Sequence, residues 1–137
     1  MSPSYHANLE LVLVDWLNAL RNRDLEAITV LLDPGVEQRW IDGRLYCANR
    51  EQLVAWIGGR ISRSEFRVDA VEVVVGDEDH VAMGVRGPDL EEVGGEYVGG
   101  QLYEVFTIRD GRIVAIRQYL RRDEALAAAG ARSVPWR

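Results

Sequence analysis

The stretch from Tyr103 to Leu120, YEVFTIRDGRIVAIRQYL, constrains this chain more than any other. Two runs of alternating side chains flank Asp110-Gly111, a pair favoured in two-residue hairpin turns because both central positions take positive φ. A long antiparallel strand pair follows, and the rest of the chain has to cover its apolar faces. Counting outward from a two-residue turn pairs Arg109 with Arg112, Val105 with Ile116, Glu104 with Arg117 and Tyr103 with Gln118. One face then displays Tyr103, Val105, Val114, Ile116 and Gln118, and the other Leu102, Phe106, Ile108, Ala115 and Tyr119. Glu104 and Arg117 read as a cross-strand ion pair. Since both faces are largely apolar, one is expected against a helical layer and the other against a second subunit, giving a homodimer.

Upstream, residues 8–22 place Leu9, Val12, Leu13, Trp16, Leu17 and Leu20 on one helical stripe, with Asp15 on its flank. A second helix opens at Asp24 as N-cap, turns Leu25, Ile28, Leu31 and Leu32 inward, and stops at Asp33-Pro34-Gly35. A strand is expected over 36–41 and a turn at Asp42-Gly43. A helix over 50–61 follows, opened by the capping pair Asn49 and Gln52. Strand 65–75 changes parity, Phe66 and Val68 on one side but Val71, Val73 and Val75 on the other, which predicts a bulge or sharp bend near Ala70. Residues 80–86 return as a strand, and 87–100, rich in glycine and acids, form a loop or weak hairpin. Asp123 is expected to cap a terminal helix ending at Gly130, with 131–137 as a tail. The order predicts one domain over residues 1–137, of α+β class: helices on one face of a strongly bent antiparallel or mixed sheet.

Composition excludes several functions. The chain has 16 basic residues, all arginine, against 22 acids, for a net charge of −6. Dispersed arginines on an acidic chain make no phosphate-binding patch, so no nucleic-acid partner is expected. Without lysine there is no amine nucleophile. The single Cys47 forms no intramolecular disulfide, which fits a reducing compartment, and with His6 and His80 far apart no zinc set is expected. No run approaches the ~18 apolar residues of a membrane span, and the N-terminus lacks a signal-peptide pattern. The expectation is a cytoplasmic protein with no metal, cofactor or membrane partner.

The segment WLNALRNRDLEAITVLLDPGVEQRW together with the terminal hairpin resembles the SnoaL-like branch of the nuclear transport factor 2-like superfamily, over about residues 8–129. The resemblance implies a cone-shaped fold in which the curved sheet wraps the N-terminal helices and leaves an internal apolar pocket. It also brings in polyketide cyclases, ketosteroid isomerase, epoxide hydrolases and dehydratases as relatives. In the cyclases and epoxide hydrolases an inward aspartate follows the hairpin turn, and the matching position here is Gln118. An amide donates and accepts hydrogen bonds but cannot take and return a proton. The Arg-x-Asp of the epoxide hydrolases falls on Arg86-Gly87-Pro88, and no first-strand aspartate lies near Arg39-Trp40.

The ligand-binding candidates are Trp16, Trp40, Tyr46, Trp56, Met83, Tyr103, Ile116 and Gln118. Indole N–H groups and the amide would orient a polar substituent of a small apolar molecule. The same aromatics equally fit a filled core, and Gln118 equally fits an amide satisfying Tyr103. Asp15 and Asp42 are the carboxylates placed near the rim, although a solvated helix flank and a turn residue explain them as well. GGEYVGG at 94–100 reads as a lid carrying Tyr97. Three functions stay open: a binding protein for a small apolar ligand, a cofactor-independent enzyme with a non-standard acid or base, and a structural dimerisation domain.

Overall fold

The N-terminal apolar stripe folds as one helical run through α1 (Pro3–Glu10), a π-helical segment (Leu11–Trp16) and α2 (Leu17–Arg21). The computed structural model describes residues 3–90, 92–93, 96–97 and 99–131. In the π segment hydrogen bonds reach one residue further along the chain and widen the turn. Leu11, Val12 and Trp16 stay inward, while Leu13, expected on the inner stripe, is rotated out and exposed. α3 (Leu25–Leu31) begins as expected, with the Asp24 carboxylate accepting from the Ala27 N–H at 3.1 Å.

β1 (Leu32–Arg39) follows directly and contains the Asp33-Pro34-Gly35 that stops the helix. β2 (Leu45–Cys47) is a short strand beyond the reach of periodicity. α4 (Arg50–Ile61) is capped by Asn49, which accepts from the Gln52 N–H at 2.9 Å, while the Gln52 side chain accepts from the Ala48 N–H at 2.8 Å. β3 (Asp69–Val75) and β4 (His80–Arg86) follow, then a short hairpin of β5 (Glu92–Val93) and β6 (Glu96–Tyr97). β7 (Gln101–Arg109) and β8 (Arg112–Tyr119) form the terminal hairpin, and α5 (Arg122–Ala128) closes the described chain. Arg121, not Asp123, occupies the N-cap of α5; Asp123 lies in its first turn and bonds Arg121 instead.

The main sheet is curved and unclosed, with strand order β2-β1-β8-β7-β4-β3. β1 runs parallel to β8 and the other neighbours are antiparallel. The helices bring Val12, Trp16, Leu17, Ile28, Leu53 and Ile57 against Val81, Met83, Leu102, Phe106, Ile113 and Ile116 on its inner face.

Two irregularities set which side chains face in. On β3 the pairing with β4 shifts between Ala70 and Glu72, so Val71 is the extra residue and is exposed, within one position of the expected bulge. On the hairpin, Asp110 and Gly111 both take positive φ (52° and 73°), and Arg109 pairs with Arg112 as counted. The register then shifts: Ile108 pairs with Ile113 but Thr107 with Ala115, leaving Val114 over. Ile113 and Ile116 are three residues apart, an odd spacing, and both are buried in the inner core. Without an inserted residue they would point to opposite faces.

The bulge corrects the counted register. Phe106 pairs with Ile116, Glu104 with Gln118, Val105 with Arg117 and Tyr103 with Tyr119. Tyr103 and Gln118 are therefore on opposite faces, and so are Glu104 and Arg117, whose guanidinium lies 4.8 Å from the Tyr119 ring.

The outer face was expected to meet a second subunit, but α5 of the same chain covers part of it. Ala125, Leu126 and Ala129 pack on Ala82, Tyr103 and Val105. Gly84 faces Tyr103 in register, and a Cβ there would come within 3.0 Å of the ring, so the glycine makes room for the tyrosine to lie on β4. The Tyr103 hydroxyl donates to Glu72 at 2.7 Å, and Arg122 of α5 donates to the same carboxylate. Arg122 holds the Glu72 carboxyl below its ordinary 4.5, and Tyr103 is pushed up to about 12 by burial and by Glu72.

A carboxyl depressed in the fold binds fewer protons there than in the unfolded chain. Its contribution is full above the unfolded value and is lost as pH falls through the folded one. Glu72→Gln is expected to lower the urea midpoint at neutral pH, with the gap to the parent closing as pH falls below 4.5. Urea titrations at the two ends of that range check it.

Candidate functional site

The inner face carries a row of polar groups between apolar layers. Gln38 on β1 pairs with Ile116 on β8 and Cys47 on β2, all three buried. Two residues further along β8, Gln118 is 1% exposed and pairs with Glu104, which pairs with Met83 on β4. Trp16 packs its ring edge-on against Phe106, centroids 5.6 Å apart, and so reaches the sheet from the helical layer.

Four buried polar atoms of this region have no hydrogen-bond partner among the described residues: Gln38 Oε1, Gln118 Oε1, Trp16 Nε1 and Trp40 Nε1. A buried polar atom left unpaired costs roughly 1–3 kcal/mol, and folded proteins carry few of them. The unpaired set is two indole donors and two amide oxygens.

Trp40, Tyr46 and Trp56 form a chain of rings beside this row. Trp40 and Tyr46 lie 4.2 Å apart by centroid, and Tyr46 meets Trp56 edge-on at 5.7 Å. Arg44 covers Trp40 and Arg60 covers Trp56, each 4.9 Å from the ring centroid. Tyr46 is exposed, so this cluster reaches from the core to solvent along β1, β2 and α4.

The expected site residues therefore separate. Trp16, Met83, Ile116 and Gln118 share the inner face; Trp40, Tyr46 and Trp56 form the aromatic chain; Tyr103 is on the outer face beneath α5. Both candidate carboxylates stand away from the inner row. Asp15 is exposed and lines a solvent-open hollow of about 330 Å³ with Asn18, Asn22 and Asp24. Asp42 is exposed and accepts from the Arg44 N–H at 2.9 Å, which makes it a turn residue. The lid expected over 94–100 lies largely outside the described residues, as does the side chain of Tyr97. The carboxylate at an inner-facing position is Glu104, which the counted register pairs with Arg117 on the other face. The odd spacing of Ile113 and Ile116 was the signal that would have turned it inward.

Burial raises the thiol pKa of Cys47, as expected of a packing residue. Among the described residues no cluster of histidine, cysteine and carboxylate side chains is gathered to hold a metal, and no helix is long and apolar enough to cross a membrane.

A sequence model of the SnoaL-like domain matches residues 13–116. The chain belongs to the SnoaL-like family. Among solved structures, an LEH-like epoxide hydrolase of M. tuberculosis matches with a TM-score of 0.67 and 17% identity, over 98% of this chain and 100% of that one. A protein assigned as a SnoaL-like polyketide cyclase, from Jannaschia sp. CCS1, matches at 0.66 and 19% identity, over 97% and 98%. A de novo designed protein with a curved β-sheet matches at 0.62 and 20% identity, over 94% and 97%. No curated protein sequence matches. A SnoaL-like fold shared by a hydrolase, a cyclase and a design fixes the scaffold and leaves the chemistry to the side chains.

Proposed function

We propose that this SnoaL-like protein binds a small, largely apolar molecule bearing a hydrogen-bond-accepting oxygen on the inner face of its sheet. The observation that carries this reading is the set of unpartnered buried polar atoms. Those of Trp16, Gln38 and Gln118 are on the inner side of the sheet, with Met83, Phe106 and Ile116 buried on the same side, and the indole nitrogen of Trp40 is in the adjoining aromatic chain. Indole N–H groups donate only, so they select an acceptor such as a carbonyl, ester or epoxide oxygen. The two amide oxygens accept and would take a donor such as a hydroxyl on the same molecule. A filled core serving only dimerisation would leave all four atoms unpaired without return. A homodimer belongs to the same reading, formed through outer-face residues such as Leu45 and Val71 that α5 leaves exposed.

A thermal-shift screen against neutral polycyclic ketones, terpenoid epoxides and fatty acids tests the proposal. A ligand at 100 times its dissociation constant adds roughly 2.7 kcal/mol of stability, which raises the melting temperature visibly. The expected result is a hit among the ketones or epoxides, weakened by Gln118→Ala. No shift across the panel would favour the structural role.

A further inference from the structure

The hairpin bulge places a carboxylate in the middle of the inner face. Glu104 lies on β7 between Leu102 and Phe106, both buried in the inner core, and side chains two apart on a strand share a face. Its cross-strand neighbours are Met83 on one side and Gln118 on the other, and both are buried. Glu104 itself is partly accessible, as a group reaching into a site would be. Among the described residues it is the only carboxylate at an inner-facing position of the main sheet. Arg117, its partner by simple counting, stands on the other face opposite Val105.

We propose that Glu104 is the acid and base of this protein: it takes a proton from, and returns it to, a carbonyl compound held beside Gln118. This rests on the binding reading above. Residues directly opposite on antiparallel strands have Cβ atoms about 4.5–5.5 Å apart, so a ligand touching the Gln118 amide is within reach of the Glu104 carboxylate. A carboxylate set between Leu102 and Phe106 along its strand and opposite a buried amide is a characteristic placement for a proton-transfer residue.

The step balances without an oxidant, reductant or co-reactant. A C–H bond next to the carbonyl breaks and its electron pair becomes the enolate double bond. The carbonyl oxygen takes the negative charge, where indole or amide N–H groups donate to it. The proton bonds to a Glu104 oxygen. Return of that proton to the same or a conjugated carbon restores the carboxylate and gives exchange or isomerisation.

The test uses 2-decalone, a saturated apolar bicyclic ketone, in deuterated buffer. Saturation-transfer NMR reads binding, and loss of the proton signals next to the carbonyl reads exchange. The wild type is expected to bind saturably and to accelerate exchange above the buffer rate. Glu104→Gln is expected to bind within about threefold of the wild type while losing about 10²-fold or more of the acceleration, or all of it where the gain is smaller. Glu104→Asp keeps the charge at a shorter reach and is expected to lose about tenfold, with binding unchanged; it carries the comparison if the glutamine variant does not fold.

A folded Glu104→Gln, or failing that Glu104→Asp, exchanging as fast as the wild type would overturn the proposal. A wild type that binds the ketone without accelerating exchange would overturn it too, and leave the binding reading standing. A wild type that does not bind the ketone would overturn the proposal, and the binding reading falls with it only if the whole thermal-shift panel is also silent.

Discussion

Phe106→Ala is expected to destabilise the protein by about 3–5 kcal/mol, the usual cost of truncating a buried phenylalanine. Phe106 is fully buried, faces Val81 on β4 and Ile116 on β8, and takes the edge of Trp16 on its ring. It thus joins the helical layer to the middle of the sheet. Domains of this size have roughly 5–15 kcal/mol in total, so the variant would stand near its unfolding threshold at room temperature. Urea titration checks it: the midpoint should fall sharply with the slope unchanged. Phe106→Leu, which preserves most of the volume, should cost less than about 1.5 kcal/mol. A loss below about 1 kcal/mol for the alanine variant would contradict the bulged register that centres Phe106 on the inner core.

Gly76→Ala is the second large effect. The residue sits where the end of β3 meets the end of α5. A Cβ there would fall 2.1 Å from the Ala129 carbonyl oxygen and 2.9 Å from the Ala129 Cβ. That carbonyl also accepts from the Asp77 N–H at 2.8 Å, so backbone on both sides is fixed and a methyl group has nowhere to go. α5 must lift at its C-terminal end, breaking that hydrogen bond and loosening Ala125, Leu126 and Ala129 from Tyr103 and Val105. Overpacking of this kind costs about 1–3 kcal/mol. The signature is local: amide exchange over residues 122–130 should speed up well beyond the rest of the sheet. Uniform exchange across the chain would place the defect elsewhere.

Local chemistry was legible in the sequence. Asp24 and Asn49 cap the helices they were expected to cap, because a capping side chain needs only its own next three residues. Asp110-Gly111 makes its turn for the same reason. The parity change near Ala70 announced a bulge that lies within one residue of it. The odd spacing of Ile113 and Ile116 is an equivalent signal, masked because the run alternates regularly from the turn outward. Regular alternation puts Tyr103 beside Gln118 and turns Glu104 away from it, and one inserted residue reverses both.

Other features depend on contacts distant in sequence. Nothing local says that α5 folds back over the outer face, although the match of Gly84 with Tyr103 and the Glu72–Arg122 pair explain it once the strands are aligned. β2 has three residues, too few for any periodicity. The SnoaL-like resemblance supplied the scaffold. Which polar groups are left without partners inside it is a property of packing, and no spacing in the sequence reports it.

The most direct measurement follows the indole N–H resonances of Trp16 and Trp40 while a ligand from the thermal-shift screen is titrated into ¹⁵N-labelled protein. Single Trp→Phe variants assign the signals. If the inner face holds an oxygen-bearing ligand, both resonances should move saturably to lower field, with the same dissociation constant as the thermal shift. A ligand that stabilises the protein while leaving both indoles unmoved would contradict the assignment of the site to the inner face.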